Sequence, residues 1–170
     1  TAAHPKDSIS LHHNLWNRIG GRMPEISCEE SGEKPGDRTK TKISKFVSEK
    51  DKGLYDALNK GIDLATGNVI GILHSDDFYV DEEVIQKYAD TFLTNKCDAV
   101  YSDLYYVDKN NTDKIIRKWK SGLYHRNAFM NGWMPPHPTF FVKKEMYSLY
   151  GKFNLEFKSA ADYELMLRFI

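Results

Sequence analysis

Apolar residues recur at helical spacing in the middle of this chain and again at its end. Leu54, Tyr55, Leu58, Ile62 and Ala65 share one face of the stretch from Lys52 to Thr66, and Gly67 follows as a stop signal. That spacing predicts an amphipathic helix. Asp81 stands where it can cap a second helix, Glu82 to Phe92, with Val84, Ile85, Tyr88 and Phe92 as its stripe. Lys144 to Tyr150 reads as a short helix closed by Gly151, and Ala160 to Ile170 as a last one. Short runs rich in β-branched and aromatic residues lie between them. They predict strands over Ile43 to Val47, Asn68 to Leu73, Asp98 to Ser102, Ile115 to Trp119 and Phe140 to Val142. Strands alternating with helices imply an α/β sandwich with a largely parallel sheet. Residues 1–42 carry no clear period. They allow a weak helix over Leu11 to Ile19, and 24–42 has the composition of a connector. The chain thus divides into an atypical or poorly structured segment, 1–42, and a patterned domain, 43–170.

Composition narrows the classes. At 170 residues the chain is one domain with enough length to bury a core. Lys plus Arg and Asp plus Glu are each 24, so no global field favours nucleic acid or an anionic membrane surface. No apolar run approaches the roughly 20 residues that span a bilayer. Cys28 and Cys97 have neither ligand-like spacing nor an evident pairing, so a reduced, cytoplasmic setting is expected. The adjacent His12 and His13 lack further ligands nearby and read as solvated.

The chemistry concentrates in a few places. The run Ile70-Gly71-Ile72-Leu73-His74-Ser75-Asp76-Asp77 takes an apolar strand into two adjacent carboxylates. In open α/β sheets ligands collect at the carboxyl ends of strands, and two acids there can hold a hard divalent cation against substrate phosphates. A strand-to-helix turn capped by Asp explains the same pair equally well. Asp103, after Tyr101-Ser102, is expected to end the next strand in the same way. Asp162, in Ala160-Ala161-Asp162-Tyr163-Glu164, falls in the first turn of the last helix. The dipole there favours its anion, and a carboxylate so placed can take a proton from an attacking hydroxyl or simply cap the helix. Asp56, Asn59 and Lys60 lie three and four apart on a helix face, where Lys60 can neutralise phosphate or pair with Asp56. His137 sits on a proline-stiffened loop, Met134-Pro135-Pro136-His137-Pro138-Thr139.

Taken together, Ser48-Glu49 through Gly61, the Asp-Asp after the strand, Pro136-His137-Pro138-Thr139-Phe140-Phe141 and Ala161-Asp162-Tyr163-Glu164 resemble the family-2 glycosyltransferases. The likeness runs from about Lys45 to Arg168. It implies the A-type (GT-A), Rossmann-like α/β fold and transfer of a sugar from a nucleotide-diphospho-sugar to a hydroxyl of a saccharide or lipid-linked acceptor, with inversion. It further implies Mg²⁺ or Mn²⁺ on Asp77, with Asp76 beside the nucleotide ribose or in the metal's water shell, Ser75 in contact with substrate, and Asp162 as general base. Asp51, Asp56, Asn59 and Lys60 would line the donor pocket, Asp103 would contact substrate, and His137 would lie near the acceptor. A Glu commonly precedes the base in this family, and Ala161 stands there instead. Members open with an apolar strand that cradles the nucleobase. Residues 1–42 do not show that pattern, so the chain is expected to be an internal fragment, incomplete at the N-terminus. Work near the inner face of a membrane on cell-surface polysaccharide or lipopolysaccharide is part of the same likeness. The competing expectations are a nucleotidyltransferase, a glycoside hydrolase that uses two carboxylates and no metal, and a non-catalytic remnant or binding domain of the same fold.

Overall fold

The computed structural model describes residues 2–3 and 10–14 by their strand pairing, residue 45, and residues 47–170. Its strands are β1 (Ala2–Ala3), β2 (Ser10–Asn14), β3 (Val69–Ile70), β4 (Asp77–Tyr79), β5 (Ala99–Val100), β6 (Asp103–Val107), β7 (Ile115–Trp119) and β8 (Phe141–Lys143). Its helices are α1 (Leu54–Leu64), α2 (Val84–Asn95), α3 (Lys144–Tyr150) and α4 (Ala161–Phe169), with 3-10 turns at Phe129–Asn131 and His137–Thr139.

The strands form two sheets, ordered β1-β5-β8-β3 and β4-β2-β6-β7. Side-chain alternation shows how the first is covered. Ala99, Tyr101, Phe140 and Val142 face the larger core, with Ile62 of α1, Met146 and Tyr147 of α3, and Leu165, Met166 and Phe169 of α4. Val100 and Phe141 face the other way, onto Val84 and Tyr88 of α2 and the buried thiol of Cys97. The result is the expected α/β sandwich, with helices on both faces of one sheet.

The direction of the strands departs from expectation. Among the described pairings β1–β5 and β2–β6 are parallel, whereas β2–β4, β3–β8, β5–β8 and β6–β7 are antiparallel. β1, β3 and β5 do run the same way, but β8 inserts reversed between β3 and β5. It enters from a 3-10 turn and not from a crossover helix, so nothing obliges it to run parallel. The expected strand Ile43 to Val47 falls partly outside the described residues, and residues 45 and 47 are in no regular element. Residues 10–14, where the sequence allows a weak helix, form β2. His12 and His13 lie in it, and Cys28 lies outside the described residues.

Element ends follow local chemistry. α1 starts after Asp51, whose Oδ1 accepts the Gly53 N–H, and Asp56 reaches back to the Lys52 N–H, both at 2.9 Å. Asp81 makes the same kind of turn, accepting the Glu83 N–H at 2.9 Å, so α2 begins two residues later than its cap residue suggests. Gly151, at φ 86°, ends α3 in a conformation that a side chain would strain. Ile85, expected on the stripe of α2, is exposed instead.

Candidate active site

The two central acids occupy the joint between the sheets. β3 ends at Ile70, residues 71–74 continue without a ladder, and the Asp77 N–H closes a turn onto the His74 carbonyl at 3.1 Å. Asp77 then opens β4 in the second sheet. The acids therefore follow the strand end by several residues instead of crowning it. Asp77 is buried, Asp76 partly so, and Ser75 exposed. The Oδ2 atom of Asp76 is buried with no hydrogen-bond partner among the described residues. A carboxylate oxygen removed from water without a partner is unfavourable, and a cation there would satisfy it.

His137 lies within electrostatic reach of both Asp77 and Asp162. Its ring lies 6.0 Å from that of His74 and 5.6 Å, edge-on, from Phe153. Burial pushes its imidazole down to about 4, while the charges of Asp162 and Asp77 pull the other way and His74 adds to the depression. Both carboxylates thus act on one neutral ring.

A buried polar knot fixes that ring. Thr139 Oγ1 accepts the Ser102 N–H at 3.2 Å and lies 3.0 Å from the Ser102 carbonyl and 2.9 Å from that of Pro136. The Tyr88 hydroxyl donates to the Thr139 carbonyl at 2.8 Å. The 3-10 turn that carries His137 is thereby tied to the end of β5 and to α2.

Asp162 lies in the first turn of α4, as expected, and its Oδ1 accepts the Tyr55 hydroxyl at 3.2 Å. Tyr55 stacks on Phe153 at 5.4 Å. Asn59, one turn along α1, exchanges two 2.9 Å bonds with the Phe153 backbone. The aromatic chain His74, His137, Phe153, Tyr55 thus leads from the acid pair to Asp162.

The remaining expected residues separate. Lys60 bonds Glu49 at 2.8 Å and Asp56 at 3.6 Å, and the Glu49 contact holds its amine above the ordinary lysine value. The Lys52 N–H holds Asp56 below the usual carboxylate range. Lys60 and Asp51 line a groove of about 440 Å³ beside Ser48 and Glu49. Asn59 faces away from it, toward Phe153, because the helix turns its position to the Tyr55 side.

Asp103 opens β6 and does not end a strand. Asp77 pairs in register with His13 and Asp103 with Ser10, with β2 between them. They are roughly 10 Å apart along the strands and roughly 10 Å across. Asp103 Oδ1 accepts the Ser121 N–H at 2.9 Å, so it anchors the loop after β7.

By spacing alone Tyr55 belongs to the apolar stripe of α1, with no part in the site. The available signal was its hydroxyl, which needs a polar partner when the ring is buried.

The α/β sandwich thus places paired acids at a sheet joint and a third carboxylate at a helix start. The sequence matches the pattern of glycosyl transferase family 2 over residues 35–150, and the chain belongs to that family. It is 26% identical over 126 residues to a PGL/p-HBAD biosynthesis glycosyltransferase of Mycobacterium bovis, covering 69% of this chain and 44% of that protein. It is 28% identical over 150 residues to an uncharacterised glycosyltransferase of Mycobacterium tuberculosis, covering 88% and 54%. Over 127 residues it is 28% identical to the chondroitin synthase of Escherichia coli, covering 73% and 18%. The chain spans about half the length of the mycobacterial relatives.

Among the described residues, no helix is long and apolar enough to cross a membrane. No three His, Cys, Asp or Glu side chains there gather as a cation cage.

Proposed function

We propose that this chain carries the catalytic centre of a metal-dependent, inverting glycosyltransferase that takes its sugar from a nucleotide-diphospho-sugar. The observation that carries the reading is that Asp77 and Asp162 both act on the buried His137 ring, which the Phe153 and Tyr55 rings link to Asp162. Asp77 and Asp76 are the residues to hold the cation, and the buried, partnerless Oδ2 of Asp76 fits that task. A cation there supplies charge to offset the diphosphate as it leaves.

The chain's own groups do the rest. Asp162, at the helix start, receives the proton of the acceptor hydroxyl as that oxygen bonds to the anomeric carbon. The bond to the diphosphate breaks in the same displacement, and the carbon inverts. Neutral His137 shapes the wall between the two carboxylates without adding charge. Asp51 and Lys60 line the groove toward the donor nucleotide, and Ser75 stands at the exposed lip. Asn59 and Asp103 hold the framework. The acceptor is a saccharide or a lipid-linked one, by analogy with the relatives' names, and a cytoplasmic setting near a membrane fits such acceptors.

Calorimetric titration of UDP, GDP and dTDP with and without Mn²⁺ tests the reading. Wild type should bind one of them with Mn²⁺, and Asp77→Ala should lose that dependence. Asp162→Asn should keep binding and lose transfer. Binding that ignores both Mn²⁺ and Asp77 defeats the proposal, and transfer that survives Asp162→Asn removes the base. Hydrolysis of a glycoside without metal would favour a glycosidase instead.

A further inference from the structure

We propose that Tyr55 is the positioning residue of Asp162: its hydroxyl holds Oδ1 and leaves the second carboxylate oxygen for the incoming acceptor. This rests on the assignment of Asp162 as base.

Three observations converge on the tyrosine. Its hydroxyl donates to Asp162 Oδ1 at 3.2 Å across a sequence separation of 107 residues. Ala160, the cap residue of α4, offers no side-chain cap to the helix start that carries Asp162. Its ring is held in turn, stacked on Phe153 at 5.4 Å, and Phe153 is fastened by Asn59 from the same face of α1.

The chemistry gives this arrangement a purpose. A carboxylate free to rotate presents either oxygen in many directions, and a base must aim one at the reacting proton. A donor fixed on Oδ1 selects the orientation before substrate arrives. Burial and the neighbouring Asp162 charge raise the Tyr55 phenol above the ordinary tyrosine value, so it stays protonated and remains a donor through the neutral range. During transfer the acceptor's proton goes to the other oxygen of Asp162, its oxygen bonds to the anomeric carbon, and the nucleotide diphosphate departs with the bonding pair. Tyr55 keeps its own proton throughout.

Tyr55→Phe keeps the ring and its stack and removes only the hydroxyl. Two measurements decide the matter. In protein carrying carbon-13 at the tyrosine ζ position, the Tyr55 signal is assigned by its loss in Tyr55→Phe. Its titration midpoint should lie above that of ordinary tyrosine and fall in Asp162→Asn, and an unchanged midpoint overturns the pairing.

The second is kinetic, with UDP-glucose, UDP-galactose, GDP-mannose and dTDP-rhamnose against p-nitrophenyl glycosides. Tyr55→Phe should lower kcat about tenfold, as expected for a lost hydrogen bond to a charged group. The donor KM should stay within about twofold. An unchanged kcat, or a raised KM at constant kcat, overturns positioning. If wild type turns over none of these sugars and binds no nucleotide with Mn²⁺, the glycosyltransferase reading fails, and the titration then decides the Tyr55–Asp162 pair by itself.

Discussion

Thr139 offers the sharpest test of how the site is held. Its side chain is fully buried, at 0% exposure, and its Oγ1 serves the Ser102 N–H, the Ser102 carbonyl and the Pro136 carbonyl. Thr139→Val preserves shape and deletes the oxygen. The Ser102 N–H is then left without its acceptor, at about 1–3 kcal/mol, and the hydroxyl's own donated bond is lost for about 1 kcal/mol more. The sum is about 2–4 kcal/mol, which for a domain of this size lowers Tm by on the order of 5–15 °C. Thr139→Ser is the control: it keeps the oxygen and deletes one methyl, for about 1 kcal/mol. Calorimetric melts of the three proteins at neutral pH give the comparison. The valine variant must melt well below the serine variant. If it melts at or above serine, the knot does not hold the 3-10 turn and the account of His137's placement is wrong.

Two further predictions follow from neighbouring features. A Cβ at Gly71 would overlap the Phe141 ring, which is buried and stacked on Tyr88 at 4.0 Å, so Gly71→Ala should cost about 1–3 kcal/mol; an unchanged urea midpoint would show that the ring gives way. The His137 imidazole, pushed down to about 4, takes up its proton later in the folded chain than unfolded histidine does near 6.5. The unfolded state therefore binds more protons across that window, and stability falls as pH drops from about 6.5 toward 4. Urea unfolding at pH 7 and pH 5 should show a larger loss in wild type than in His137→Gln, and equal losses would place the acid sensitivity elsewhere.

The sequence alone determined the parts whose stability is local. The 3.6-residue stripes gave α1 and α4 to within two residues or so, Gly151 marked the end of α3, and Ile115 to Trp119 formed the strand their β-branched and aromatic character requires. Four short motifs in order also identified the family, because their residue types are tied to chemistry and need no coordinates. Tertiary structure alone decided direction and partnership. β8 runs antiparallel because long-range pairing, not its three residues, selects its neighbours. Asp103 and Asp77 both follow apolar runs, yet the register on β2 parts them, and Asp103 is taken up by the Ser121 N–H. Asp56, Asn59 and Lys60 share a helix, but Asn59 turns to Phe153 because α1 buries its Tyr55 side. Tyr55 read as an apolar residue until its hydroxyl met Asp162 across 107 positions of chain. Periodicity shows which face of an element is buried, while the identity of what lies against that face is a property of the packed molecule.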